Sequence, residues 1–182
     1  MTGRLNGPAL RIVGVSTAMT ALAIILVGLS GVRINTTNSL PKGLYVTTRN
    51  RDAPLVEFCP PGIFSTLSVM RGYRPPGVCA DGAAPLLKPV IAKSGDTVIL
   101  AAEGIQVNGR LVPNTVPQHV DSLGRTLTAW PFGTYAVAPQ SIWVASRHPD
   151  SFDSRYFGPI SVGLIRHRVR ALWLLGSTPT GK

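Results

Sequence analysis

Acidic residues are scarce in this chain of 182, eight Asp and Glu against eighteen Lys and Arg, and there are only three histidines. A Ser-His-Asp triad needs a histidine base oriented by a buried acid. The one local candidate is His148 with Asp150 or Asp153, and a His-Pro-Asp run more often makes a turn. Paired ligands at zinc spacing are missing, as is a Gly-rich loop followed by Lys-Ser/Thr that could hold nucleotide phosphates. No metal and no cofactor is expected. Only two cysteines occur, Cys59 and Cys79, and no Cys-x-x-Cys pair that would suggest metal or thioredoxin-like chemistry. Charged residues are 14% of the chain and hydrophobic ones 45%, which argues against wholesale disorder and leaves enough apolar mass for a core. No repeat period is visible.

Glycine and proline, by contrast, are abundant, with 19 and 16. They argue against a helical bundle and for short strands joined by tight turns. The formal charge of +10 suits either nucleic acid or an anionic membrane surface. The densest basic cluster is Arg166, Arg168 and Arg170, which strand spacing puts on one face with no aromatic residue between them to stack bases. Membrane lipid or a solvated face is the favoured reading, and no nucleic-acid partner is expected.

Residues 12–32 form a run of 21 without a charge. As a helix rising about 1.5 Å per residue, it would match a bilayer's hydrocarbon core. Arg4 and Arg11 precede it with no acid on that side, so the positive-inside rule assigns residues 1–11 to the cytoplasm and residues 33–182 to the periplasm. A cleavable signal peptide is the competing reading, although its apolar region is usually shorter. Both readings send the domain outside the cytoplasm. In an oxidising periplasm Cys59 and Cys79 read as one structural disulfide, closing an insertion around 59–79 and contributing about 3 kcal/mol. A catalytic Cys–His pair is the sharper alternative, but Cys59 adjoins Pro60-Pro61-Gly62 with no base nearby.

Strand signals follow. Pro41 and Gly43 exclude a helix in the polar stretch after the anchor and suggest an extended segment with a turn. Strands are expected at Leu55–Cys59, Leu86–Ala92 and Thr97–Leu100, with a short helix at Phe64–Met70. Asn108-Gly109 predicts a two-residue hairpin turn between Ile105–Val107 and a return strand at Leu111 and Val112. Tyr135–Ala138 and Ile142–Ala145 read as another strand pair around Pro139-Gln140, and Gly163–Leu175 closes the chain. The fold class expected is mostly β, with little helix outside the anchor.

With triad and metal set aside, a serine activated by a lysine remains. In water a Lys is a poor base at neutral pH, but burial favours its neutral form. Lys88 lies between Leu86-Leu87 and Pro89-Val90-Ile91, inside an apolar strand-like run. A lysine snorkelling at a strand edge explains that context equally well.

Three separated segments break the tie. Asn35-Thr36-Thr37-Asn38-Ser39-Leu40-Pro41-Lys42-Gly43-Leu44-Tyr45, Leu87-Lys88-Pro89-Val90-Ile91-Ala92-Lys93-Ser94-Gly95-Asp96 and Ser151-Phe152-Asp153-Ser154-Arg155-Tyr156-Phe157-Gly158-Pro159 resemble, in order, the boxes of the signal peptidase I clan, specifically its conjugative-transfer, TraF-type branch. The resemblance runs from Arg33 to about Trp173. It implies coiled antiparallel sheets, Ser39 as nucleophile and Lys88 as base. It rules out Lys93, which lies too close to Gly95-Asp96. It also implies that Thr37 and the Ser39 backbone form the oxyanion hole, that Ser151 orients the Lys88 amine, and that Asp153 and Arg155 are structural supports. Two departures stand out. Pro89 replaces the frequent Arg after the base, so that an ionic partner for Asp153 either comes from Arg155 alone or is missing, and Ala53-Pro54 replaces a Gly-Asp.

The function implied is a membrane-anchored serine endopeptidase acting on a membrane-inserted protein precursor, a conjugative pilin, by trimming alone or by trimming with ring closure. The alternatives are a general signal peptidase acting on preproteins and a non-catalytic assembly factor of a conjugation or secretion apparatus.

Overall fold

A computed structural model describes residues 12–21 and 31–175. Residues 12–21 are helical (α1). Among the described residues no helix is long and apolar enough to cross a membrane. The expected cytoplasmic stretch 1–11 and residues 22–30 of the expected anchor lie outside the described residues.

The rest is mostly β. Strands β1 (Val32–Asn35), β2 (Gly43–Thr48), β3 (Leu55–Phe58), β4 (Leu86–Lys93), β9 (Ser141–Val144), β10 (Ile160–Ser161) and β11 (Ile165–Leu174) form an antiparallel sheet in the order β1-β2-β11-β3-β4-β9-β10. Strands β5 (Thr97–Ala101), β6 (Gly104–Val107), β7 (Arg110–Leu111) and β8 (Gly133–Ala136) form a second sheet, ordered β7-β6-β5-β8, inserted between β4 and β9. A second excursion, between β3 and β4, carries helix α2 (Gly62–Met70) and the Cys59–Cys79 disulfide. Buried Arg74 ties this excursion together by pairing with Asp81 and donating to Ser68 and to the Ala84 carbonyl.

Local chemistry accounts for several of these elements. Asn108 and Gly109 take φ of 51° and 78°, and Val107 pairs with Arg110, as a two-residue hairpin turn requires. Asp96 accepts from the Lys93 backbone and from Asn108 Nδ2, so the Gly95-Asp96 end of the second box ties the β4–β5 turn to that hairpin. Strand β9 is buried on both faces with alternating allegiance. Ile142 and Val144 join a core with Val56, Phe58 and Phe157, while Trp143 and Ala145 join the core of the second sheet with Val98, Leu100 and Ile105.

That two-sided burial overturns one expectation. Tyr135–Ala138 and Ile142–Ala145 are not partners. β8 pairs with β5, whereas β9 pairs with β4 and β10. The residues between them carry the chain from one sheet to the other, and Gln140 turns it at φ 60°. A hairpin would have left one face of β9 without its core. The closing strand is also shorter than expected, because residues 162–164 form a 3-10 turn before β11. Along β11, Val169 is buried and Arg166 and Arg170 are exposed, but Arg168 between them is half-buried like His167, so the basic cluster does not alternate strictly.

Candidate active site

The loop joining β1 to β2 carries Ser39. Asn35, the last residue of β1, holds that loop from inside. Its Nδ2 donates to the carbonyls of Thr37, Leu40 and Pro41 at 3.0–3.1 Å, and its Oδ1 accepts from the Thr37 backbone and hydroxyl. The Tyr45 hydroxyl donates to the Pro41 carbonyl at 2.6 Å. Gly43 allows the return strand to close, since a Cβ there would sit 2.2 Å from the Trp173 carbonyl oxygen. These contacts explain the Gly-Leu-Tyr end of the first box as packing against β11. The Ser39 carbonyl accepts from the Ser146 hydroxyl, which pins the loop to the chain just after β9.

Strand β4 carries Lys88 opposite Val56 of β3, at the centre of the large sheet. The side chain is 4% exposed and so is no snorkelling lysine. Burial lowers its pKa from 10.5 to about 8, the attraction of Asp153 opposing the fall and the charge of Arg155 adding to it. Its Nζ donates to Ser151 Oγ at 2.7 Å. Lys93 stands exposed at the end of the same strand.

The third box is a buried frame. Asp153 caps the one-turn helix α3 (Ser154–Phe157), accepting from the Arg155 backbone at 3.2 Å. Its carboxylate also accepts from Arg155 Nε and Nη2, each at 2.8 Å, and from the Ser146 backbone at 3.0 Å. Arg155, fully buried, donates onward to the carbonyls of Asn114, His148, Pro149 and Ser151. Among the described residues Arg155 is the sole ionic partner of Asp153, which answers the question left by Pro89. Gly158 ends the box where a Cβ would lie 2.5 Å from the Trp130 ring.

A cavity of about 710 Å³ brings Thr37, Ser39, Lys88 and Ser151 together. Among the described residues no hydrogen bond joins Ser39 to Lys88. Ser39 Oγ lies instead 3.2 Å from Thr37 Oγ1, and the Thr37 hydroxyl is directed at Asn35 Oδ1 at 2.8 Å. In this arrangement the Thr37 proton is directed to Asn35. His148 lines the same cavity but uses Nδ1 to accept from the Asp150 backbone, the local turn expected of His-Pro-Asp. Sequence reasoning missed Ser146 and Asn35. Ser146 had no signal at all, being 107 residues from its partner Ser39. Asn35 lay within the first box, and its place ahead of a polar loop was the only cue.

The signal peptidase family, peptidase S26, matches residues 9–174. The chain belongs to that family. Relatives of this S26 chain include a plasmid transfer protein TraF of Escherichia coli, 38% identical over 149 residues covering 78% of this chain and 82% of the relative. Another is a conjugal transfer protein TraF of Agrobacterium fabrum, 35% identical over 156 residues covering 83% and 87%. A solved signal peptidase I of Enterococcus faecalis superposes with a TM-score of 0.36 at 16% identity, over 70% of this chain and 99% of that one.

Proposed function

We propose that this S26 chain is a membrane-anchored serine endopeptidase facing the periplasm, with Ser39 as nucleophile and Lys88 as general base, and that it trims a conjugative pilin precursor. The observation that carries the reading is Lys88, a lysine buried in the central sheet, lowered to about 8 and sharing a cavity with Ser39. Neutral lysine is the form that accepts a hydroxyl proton. Ser151 holds the amine, and the step requires the Ser39 hydroxyl to leave Thr37 for the base. Ser39 Oγ then attacks the scissile carbonyl as its proton passes to Lys88. The Ser39 backbone N–H and the Thr37 hydroxyl receive the oxyanion. Collapse expels the leaving amine, protonated by Lys88, and leaves an acyl-enzyme. Water then releases the product, or the precursor's own amino terminus does so, giving a ring.

The family implies a protein substrate, and the relatives' names point to conjugation. The uncharged run 12–32 behind Arg4 and Arg11 supports the anchor and its direction. Mass spectrometry of the candidate pilin from cells with wild-type or Ser39→Ala chain tests the reading. A trimmed pilin with wild type and an untrimmed one with the variant are expected. Trimming by Ser39→Ala overturns the dyad. A trimmed mass lower by one water reports ring closure.

A further inference from the structure

Ser39, together with Asn38 and His148, lines two cavities whose charges differ. The cavity on the Lys88 side carries both signs, with Arg33 paired to Glu57 at 2.9 Å. On the other side of Ser39 lies a cavity of about 980 Å³, floored by Pro89–Ile91 of β4 and walled by the β6–β7 hairpin and the segment after β9. Lys42 from the Ser39 loop, Arg110 from the hairpin and Arg147 from the segment after β9 line it, and no Asp or Glu does. Among the described residues none of these three cations is ion-paired. The carboxylates of this acid-poor chain are largely engaged elsewhere, as with Asp153 on Arg155 and Asp121 on Arg125. Arg110 is supplied by the second sheet, so that sheet forms part of the cavity wall beside the nucleophile.

We infer that this cavity is a specificity subsite for a carboxylate-bearing stretch of the substrate. That stretch flanks the scissile bond on the side of Ser39 away from Lys88. The inference rests on Ser39 being the reacting residue, because an extended peptide lying across it must pass from one cavity into the other. Three cationic residues lining one space with no acidic residue among its lining favour an acidic occupant and repel a basic one. The carboxylate comes either from an Asp or Glu side chain or from a chain terminus, and both offer the same two acceptor oxygens.

Binding to the full-length Ser39→Ala chain in detergent micelles tests the subsite without any chemistry. The probes are dye-labelled Ala-Asp-Ala-Ala with an amidated C-terminus, dye-labelled Ala-Ala-Ala-Ala with a free C-terminus, and the amidated all-Ala peptide. Fluorescence polarisation is read at low salt and at about 0.15 M. One or both carboxylate peptides should bind roughly tenfold more tightly than the neutral peptide, the stronger of them identifying the source. Changing Lys42, Arg110 and Arg147 together to Gln should erase that preference. Changing Arg49, Arg51 and Arg166 to Gln removes the same net charge elsewhere and should preserve it. Equal binding of all three peptides, no binding of any, or a preference lost equally in both triple variants overturns the subsite. Each single Gln variant is measured alongside, and if the triple variant fails to fold, an unchanged preference in all three singles overturns it too. A failure of the dyad shows in pilin processing by Ser39→Ala and leaves these binding outcomes separate.

Discussion

The first and third boxes both deliver a serine hydroxyl to the same cavity, yet they are built in opposite ways. The Ser39 loop has residues 36–38 exposed and is held mostly by hydrogen bonds to its own Asn35. The stretch 151–158 is buried throughout and wired to carbonyls from neighbouring segments by Arg155. The difference suits the two tasks proposed for Ser39 and Lys88. A nucleophile has to rotate between partners, and a shallow self-bonded loop allows that at little cost. A base whose pKa depends on burial has to be held in a fixed, dry setting, and the third box supplies it.

The sharpest way to break the comparison is to remove the two groups proposed to react. Ser39→Ala and Lys88→Ala should each reduce pilin processing by at least about a thousandfold. Ser39→Ala should leave the thermal midpoint unchanged because its loop packs little. Comparable residual processing in either variant would end the division of labour. Next in size, Arg155→Met strands the Asp153 charge in the interior and should destabilise the fold by roughly 3–5 kcal/mol in denaturant titration. A loss under 1 kcal/mol would mean that the frame is not rigid.

Lys88→Met should do the reverse for stability while abolishing processing. The folded pKa lies below the unfolded value, so the cost of burying the cation is fully present below about pH 8 and is relieved as pH rises towards 10.5. Removing the amine should therefore stabilise the chain by about 1–3 kcal/mol at neutral pH and flatten the wild-type rise in stability between those two pH values. Processing should climb with pH to a half-maximum near about 8, since only neutral Lys88 accepts the proton. A profile flat down to pH 5 would exclude a lysine base. The smallest effect expected is that of Thr37→Val, a roughly ten- to hundredfold fall in kcat with unaltered stability. A large loss of stability there would show that the exposed loop bears structural weight after all.

Much of this was legible before any fold was known, because the deciding physics was local. The Asn108-Gly109 turn, the strand pattern and the two lone cysteines each follow from short-range geometry or composition. Lys88 was ambiguous for a physical reason. Apolar neighbours in sequence do not say whether both faces of a strand will be covered, and only its pairing with Val56 deep in the sheet made it a buried amine. The β8–β9 expectation failed on the same point. A short connection favours a hairpin locally, but the apolar residues on both faces of β9 required a place between two cores.

The sequence by itself thus determined the order of the boxes, the Asn-Gly hairpin and the candidacy of Ser39 and Lys88. Tertiary structure alone decided that Ser146 pins the Ser39 carbonyl, that Arg155 is the counter-ion of Asp153, and that Lys42, Arg110 and Arg147 share one cavity. Those contacts join segments far apart in the chain or depend on which groups are shut away from water. Both are settled by which apolar faces bury one another and by nothing that neighbouring residues encode.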